Sequence, residues 1–142
     1  MAVKEEDPVD PREHPDLPDS SAPAPRANAD LIGHAQAEKR LAAAAKDGTI
    51  AGAWLIGGPE GIGKATLAYR LGRHLLAGGG NDLFGDAADT LAMDEADPVF
   101  SRVAGGAHGD LMTIGIGLNK QGKKRTEIVI EDIRRLEPFF HQ

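Results

Sequence analysis

The sequence predicts an α/β fold, in which a parallel β-sheet surrounds a phosphate-binding loop. The main observation is the stretch GGPEGIGKAT, Gly57 to Thr66, which nearly matches the phosphate-loop pattern G-x-x-x-x-G-K-[ST]. A short apolar run precedes this stretch, and apolar residues at helical spacing follow it. A strand, a glycine-rich turn and a helix in this order are the context in which a phosphate loop forms.

The segment before the loop predicts one helix and one strand. Asp30 is a candidate helix cap, and Gly48 supplies a stop. Between them, small and apolar residues recur at helical spacing: Ala37, Leu41, Ala44 and Ala45. Residues 53–56 (AWLI) are then fully apolar, which is typical of a buried parallel strand.

The segment after the loop predicts two helices. Apolar residues line one face of the first: Leu67, Ala68, Leu71, Leu75 and Leu76. This helix ends at the glycines 78–80, and residues 78–97 predict a loop. Pro98 then opens a short second helix, with Phe100 and Val103 facing inward.

The last part of the chain predicts two strands and a helix. Residues 110–114 (DLMTI) and 127–130 (EIVI) are the two predicted strands, joined by a glycine- and lysine-rich connection. The chain then ends in an amphipathic helix whose apolar face contains Ile133, Leu136 and Phe139 or Phe140.

Composition divides the 142-residue chain into a tail and one domain. Residues 1–29 hold six of the nine prolines, and seven acidic side chains against three basic ones. Such a segment cannot bury enough apolar surface to offset its ordering entropy, so we expect a disordered, acidic, proline-rich tail. Residues 30–142 form the predicted domain, which is close to neutral although the whole chain carries −6.

What the chain does not contain excludes several classes of protein. The absence of cysteine excludes disulfides and thiolate zinc sites. No apolar run reaches the ~20 residues that a membrane-spanning helix needs. The start of the chain, MAVKEED, lacks the pattern of a secretory signal. We therefore expect a soluble, cytoplasmic protein.

The chemistry of a phosphate loop assigns a role to each of its positions. Glycines let backbone N–H groups converge on phosphate oxygens, and here they are Gly58, Gly61 and Gly63. Lys64 is the residue that reaches the terminal phosphates. The next residue normally offers a hydroxyl to Mg²⁺, which Ala65 cannot do. Thr66 lies about 100° further around the helix, so it is not a ready substitute.

These residues predict a degenerate nucleotide site with no catalytic or metal-binding residue. Loss of the hydroxyl weakens nucleotide binding and damages hydrolysis more, because Mg²⁺ neutralises charge in the transition state. ATP is therefore at most a weakly bound ligand, and no cofactor is required. The plainest alternative is a glycine-rich turn in which Lys64 is merely solvated.

A second alternative is an active ATPase in which Thr66 or a water replaces the hydroxyl and Asp132 holds the metal. Glu131 and Asp132 are more simply the first-turn acids of a helix, where the helix dipole favours negative charge.

A basic cluster lies in the connection between the two last predicted strands: Lys120, Lys123, Lys124 and Arg125. One interpretation is that this cluster contacts DNA phosphates or an acidic partner. The simpler interpretation is that it is the solvated tip of a hairpin. No aromatic residue is interleaved for base stacking.

Four stretches between Asp30 and His141, taken in order, are more specific than the loop alone. They are LIGHAQAEKRL, AWLIGGPEGIGKATLAYRLGRHLL, AHGDL and IVIEDIRRL. Together they resemble the N-terminal part of the delta-prime subunits of the bacterial DNA polymerase III clamp loader, which belong to the AAA+ ATPase superfamily. Many such subunits carry a small four-cysteine zinc module, and this chain, without cysteine, departs from that pattern.

The resemblance implies a role as well as a fold. The fold would be an AAA+ parallel-sheet core that is incomplete at the C-terminus, because the acidic metal-binding segment, the arginine finger and the lid come after Gln142 in that family. We therefore expect a truncated fragment. The role would be that of a non-catalytic subunit of the DNA polymerase III holoenzyme, which helps to load the sliding clamp on primed DNA.

The resemblance also implies partners. These are the gamma/tau ATPase subunits and the delta subunit of the loader, with the sliding clamp and primed DNA contacted indirectly.

Overall fold

The structure is a computed structural model that describes residues 23–50, 52–79, 90–119 and 121–141. These residues belong to two compact units that meet in sequence at Leu111 and Met112. We call the described residues from 23 to 111 the loop unit, and those from 112 to 141 the hairpin unit. Most of the tail predicted over residues 1–29 lies outside the described residues.

The predicted parallel sheet, and with it the AAA+ sheet core, is wrong. The described ranges contain helices and no β-strand, and their only bridge joins Leu118 and Lys124 in antiparallel orientation. Residues 53–56 form neither a strand nor a bridge, and Leu55 is 98% exposed. A strand becomes stable only when a second segment satisfies its N–H and C=O groups. The apolar run of residues 53–56 does not specify which other segment would pair with it.

The other two predicted strands are wrong as well. Residues 110–114 form a turn and an irregular segment, and Ile130 is the first residue of a helix. The backbone N–H of Val129 donates to the Asp132 carboxylate at 3.2 Å, which is a helix cap. Because this cap closes the first turn of a helix, it ends the extended conformation that residues 127–130 were predicted to keep.

The two long helices of the loop unit confirm the sequence pattern. Helix α1 spans Ala35–Lys46 and helix α2 spans Lys64–Leu76. The residue that caps α1 is His34 rather than the predicted Asp30. Both helices end as predicted before glycines, since Gly48 and Gly78 adopt the positive φ that closes a helix.

A short third helix, α3, spans Pro98–Ala104, as the sequence predicts. The Asp97 side chain caps it by accepting a hydrogen bond from the N–H of Val99 at 2.7 Å. Phe100 and Val103 are buried, also as predicted.

Aliphatic side chains from α1, α2 and the segment before α3 form the core of the loop unit. Its buried members are Leu41, Ala42, Leu67, Leu71 and Leu91. The residues that pack around this core are Leu31, Ala37, Ile50 and Ile56. This cluster is small and purely aliphatic, so polar contacts carry much of the packing specificity.

A buried ion pair in the loop unit joins α1 to α2. The Arg70 guanidinium donates from Nε to the Glu38 carboxylate at 2.9 Å and also bonds it through Nη2. The same carboxylate oxygen accepts the backbone N–H of Leu91 at 3.1 Å. Arg70 also donates to the carbonyl of Ala29. One buried ion pair therefore connects four parts of the loop unit.

A second arginine of α2 holds the segment before α1. Arg73 is 1% exposed and donates to the carbonyls of Arg26 and Asn28, both at 2.9 Å. Its guanidinium lies 4.5 Å from the centre of the Phe100 ring, within the range of a cation–π contact. Burial, and then the charge of Arg70, lower the pKa of Arg73 below its ordinary value. The short 3-10 turn Pro25–Ala27 is thereby fixed on α2.

The hairpin unit contains two short helices, α4 (Ile130–Arg134) and α5 (Leu136–Phe139), in place of the single predicted amphipathic helix. Neither contains a buried residue. Within the part of the chain that the structure describes, no helix has the length and apolar character needed to cross a membrane.

Glu38→Ala is expected to lower the free energy of unfolding by ~3 kcal/mol, the lower end for a broken buried ion pair. The reason is that Arg70 and the N–H of Leu91 lose their acceptor while the Glu38 and Arg70 side chains are only 13% and 7% exposed. Urea unfolding measures the change, with Glu95→Ala in an exposed turn as control. Equal midpoints for both variants would show that the ion pair contributes nothing.

The stability of the protein is expected to fall in mild acid because of His74. Burial lowers the pKa of His74 below its ordinary 6.5, so the unfolded chain binds this proton at a higher pH than the folded one. Above pH 6.5, neutral His74 therefore makes its whole contribution to the free energy of unfolding. This contribution is lost as the pH falls from 6.5 through the lowered pKa. Urea unfolding at about pH 7.5 and about pH 5 measures this effect. Between these two pH values, the free energy of unfolding should fall less for His74→Gln than for the wild type.

Candidate phosphate-binding site

The backbone of the glycine-rich loop has the conformation that its sequence requires. Gly58, Gly61 and Gly63 have φ angles of 149°, 76° and 101°, values that other residues rarely adopt. Gly63 is the cap of α2, and Lys64 is the first residue of that helix. The loop therefore leads directly into the N-terminal end of a 13-residue helix, which carries partial positive charge.

The Lys64 side chain folds back over this loop. Its ammonium group donates to the carbonyl of Gly58 at 2.8 Å and to the carbonyl of Pro59. An ammonium has three donors, so these two bonds leave one for an anion. The lysine consequently fixes the loop and still presents a cation beside the helix N-terminus.

His34 holds the other side of the loop. Its Nε2 atom donates to the carbonyl of Ile62, so the residue that caps α1 also contacts the loop that leads into α2. A Cβ atom at Gly63 would lie 3.5 Å from Leu31 Cδ1 and 3.6 Å from His34 Nε2, which shows how closely the loop packs on this segment. The sequence patterns did not identify His34, and the only available signal was its place directly before α1.

The loop and the start of α1 enclose a small cleft of about 120 Å³. Its walls are mostly apolar (Ala37, Ile56, Ile62 and Leu67), and its polar side chains are those of His34 and Lys64. Pockets that enclose a whole small molecule usually measure about 300–1,000 Å³. The cleft is therefore too small to enclose a whole nucleotide.

The two residues that follow Lys64 decide whether the site can hold a metal ion. Ala65 is exposed and carries only a methyl group. Thr66 is 7% exposed and belongs to the buried face of α2. A metal ion at the loop would need a hydroxyl on the exposed face, so neither residue supplies the missing ligand.

All six residues predicted for the site lie together, on the loop and the first turn of α2: Gly58, Gly61, Gly63, Lys64, Ala65 and Thr66. Asp132, the metal ligand of the ATPase alternative, belongs to the hairpin unit. There it caps α4 and pairs with Arg125 at 3.3 Å, the first-turn role that the sequence favoured. Within the described ranges, no group of three or more histidines and carboxylates is placed to hold a metal ion.

The site has the backbone and the lysine of a phosphate-binding loop and lacks the metal-binding hydroxyl. Comparison of the chain with protein-family profiles, with curated proteins and with solved structures finds no match. The resemblance to clamp-loader subunits therefore depends on the quoted sequence stretches alone.

Gly63→Ala is expected to destabilise the protein by ~1–2 kcal/mol, because an alanine in the left-handed region is strained. The matched control is Gly57→Ala, where φ is not in that region and a Cβ would meet no atom within 4 Å. Thermal unfolding should show a lower midpoint for Gly63→Ala only. A similar loss in both variants would mean that the loop does not keep this conformation in solution.

Proposed function

We propose that this chain is a non-catalytic subunit of a clamp-loading assembly, of the delta-prime kind found in the DNA polymerase III holoenzyme. The observation that supports the proposal best is the combination at the start of α2. Lys64 lies over the loop at the helix N-terminus, and the next residue, Ala65, has no oxygen for a metal ion.

The loop is suited to phosphate oxygens without hydrolysis. A helix N-terminus, a glycine-rich turn and a lysine all attract anions. Hydrolysis of ATP additionally needs Mg²⁺ to neutralise charge as the terminal phosphate leaves. With the metal ligand missing, the loop binds ATP weakly at most, and the subunit needs no cofactor for its role.

A rigid, non-hydrolysing subunit is a sensible component of a loader because neighbouring subunits can supply the turnover. The sequence resemblance names those neighbours as the gamma/tau ATPase subunits and the delta subunit. The sliding clamp and primed DNA are then reached through the assembly. The resemblance applies from Asp30 to His141 and includes the loop, the AHGDL stretch and the first turn of α4.

The competing function is an active ATPase, and two observations disfavour it. Thr66 faces the buried side of α2, so its hydroxyl does not replace the missing one. Asp132 already bonds the N–H of Val129 and the guanidinium of Arg125. A carboxylate occupied in this way would have to break a helix cap before it could hold a metal ion.

Titration with a fluorescent ATP analogue, with and without Mg²⁺, distinguishes the two functions. We expect weak binding that Mg²⁺ does not strengthen, because no hydroxyl at position 65 holds the metal. Lys64→Ala should abolish the binding, and Lys46→Ala, at an exposed position of α1, is the control. Ala65→Thr should make binding Mg²⁺-dependent. Tight, Mg²⁺-dependent binding and turnover by the unmodified chain would favour the ATPase instead. Trp54, which is 47% exposed, gives an independent fluorescence signal.

Assembly with the proposed partners is the second test. The chain is expected to co-elute in gel filtration with purified gamma/tau and delta subunits. Lys64→Ala should co-elute equally well, since the proposed role does not use bound nucleotide. Failure of the folded chain to associate with either partner would contradict the proposed function.

A further inference from the structure

The hairpin unit differs in charge from the rest of the chain. Residues 112–142 carry six basic side chains and four acidic ones, whereas the whole chain has a net charge of −6. Four of the six basic residues lie within six positions, 120–125 (KQGKKR), which contain no acidic residue. The excess positive charge of this unit is therefore concentrated in one connection.

Hydrogen bonds hold this connection as a tight hairpin. The antiparallel bridge between Leu118 and Lys124 closes it, and the N–H of Asn119 donates to the carbonyl of Lys123 at 2.8 Å. The Asn119 side-chain oxygen accepts from the N–H groups of Gln121 and Lys123, both at 2.9 Å. These bonds fix the backbone that carries Lys123 and Lys124. Lys120 lies outside the described residues.

The base of the hairpin is tied to α4 by an ion pair. The Arg125 guanidinium lies 3.3 Å from the Asp132 carboxylate, and the Arg125 N–H donates to the carbonyl of Gly117 at 2.9 Å. A Cβ atom at Gly117 would lie 2.5 Å from the same guanidinium, so the Arg125 side chain would have to shift if another residue stood there. Asp132 is consequently occupied by Arg125. Lys123 and Lys124 are exposed, and neither has an ion-pair partner among the described residues.

We propose that this hairpin binds the phosphate backbone of a nucleic acid. Exposed lysines in a stretch without acidic residues attract a polyanion, because binding releases the counterions of the phosphates. The other exposed side chains of the turn, Asn119 and Gln121, are also of the kind that contacts phosphate and sugar.

The composition favours a nucleic acid over an acidic protein. Protein interfaces are enriched in aromatic residues, methionine and arginine and depleted in lysine, and residues 119–124 contain none of the enriched types. Contacts to phosphate and sugar carry no sequence information, so the expected binding is independent of sequence. It is also a direct contact, independent of the phosphate loop and of the proposed clamp-loader function.

The test is fluorescence anisotropy with a labelled oligonucleotide of random sequence, single-stranded and as a duplex, over a series of salt concentrations. The logarithm of the affinity should fall linearly with the logarithm of the salt concentration. The variant Lys123→Gln/Lys124→Gln should bind more weakly and reduce the salt slope by about 2, since each lysine contributes about 1.

Two matched variants separate position from net charge. Arg40→Gln/Lys46→Gln removes the same two charges from exposed positions of α1 and should bind like the wild type. Lys123→Arg/Lys124→Arg keeps the charge and should retain the salt slope. A failure of the phosphate-loop proposal would be seen separately, in the titration with the ATP analogue, which does not depend on Lys123 or Lys124. Circular dichroism of every variant confirms that it is folded.

Three results would overturn the proposal. The first is an unchanged salt slope in Lys123→Gln/Lys124→Gln. The second is an equal loss in that variant and in Arg40→Gln/Lys46→Gln, which would show an effect of net charge alone. The third is tighter binding to polyglutamate than to either oligonucleotide, which would identify an acidic protein as the partner.

Discussion

The loop unit depends on the buried ion pair between Glu38 and Arg70. A buried charge is costly unless it is paired and hydrogen-bonded, and these two side chains satisfy each other. Around them the N–H of Leu91 and the carbonyl of Ala29 find their partners as well. The relative position of α1 and α2 is therefore set by a directional contact, whereas the small aliphatic core around Leu67 adds packing without direction.

The geometry of the candidate site follows from this arrangement of helices. Because α1 and α2 are fixed together, His34 at the start of α1 reaches the loop that begins α2. His34 and Lys64 both bond to carbonyl oxygens of the loop, at Ile62, Gly58 and Pro59. A phosphate binds to the backbone N–H groups of such a loop, and these contacts do not use them. Lys64 keeps one of its three donors for the anion.

The hairpin unit is held together by different means. It has no buried residue in either helix, and its fixed points are the Asn119 turn and the ion pair between Arg125 and Asp132. Hydrogen bonds, rather than a hydrophobic core, set the conformation of this hairpin. Its exposed side chains can therefore be charged without disturbing the packing of apolar residues. Lys123 and Lys124 are exposed in this way, and they belong to a different unit from the glycine-rich loop.

The sequence by itself determined α1, α2, α3 and the form of the glycine-rich loop. These features are local: helical spacing, Pro98 at a helix start, and glycines where φ is positive. Only the tertiary structure decided whether residues 53–56 pair with another strand, because an apolar run does not name its partner. It also decided the roles of His34 and Glu38, whose partners lie 28 and 32 positions away, a distance over which no local pattern gives a signal.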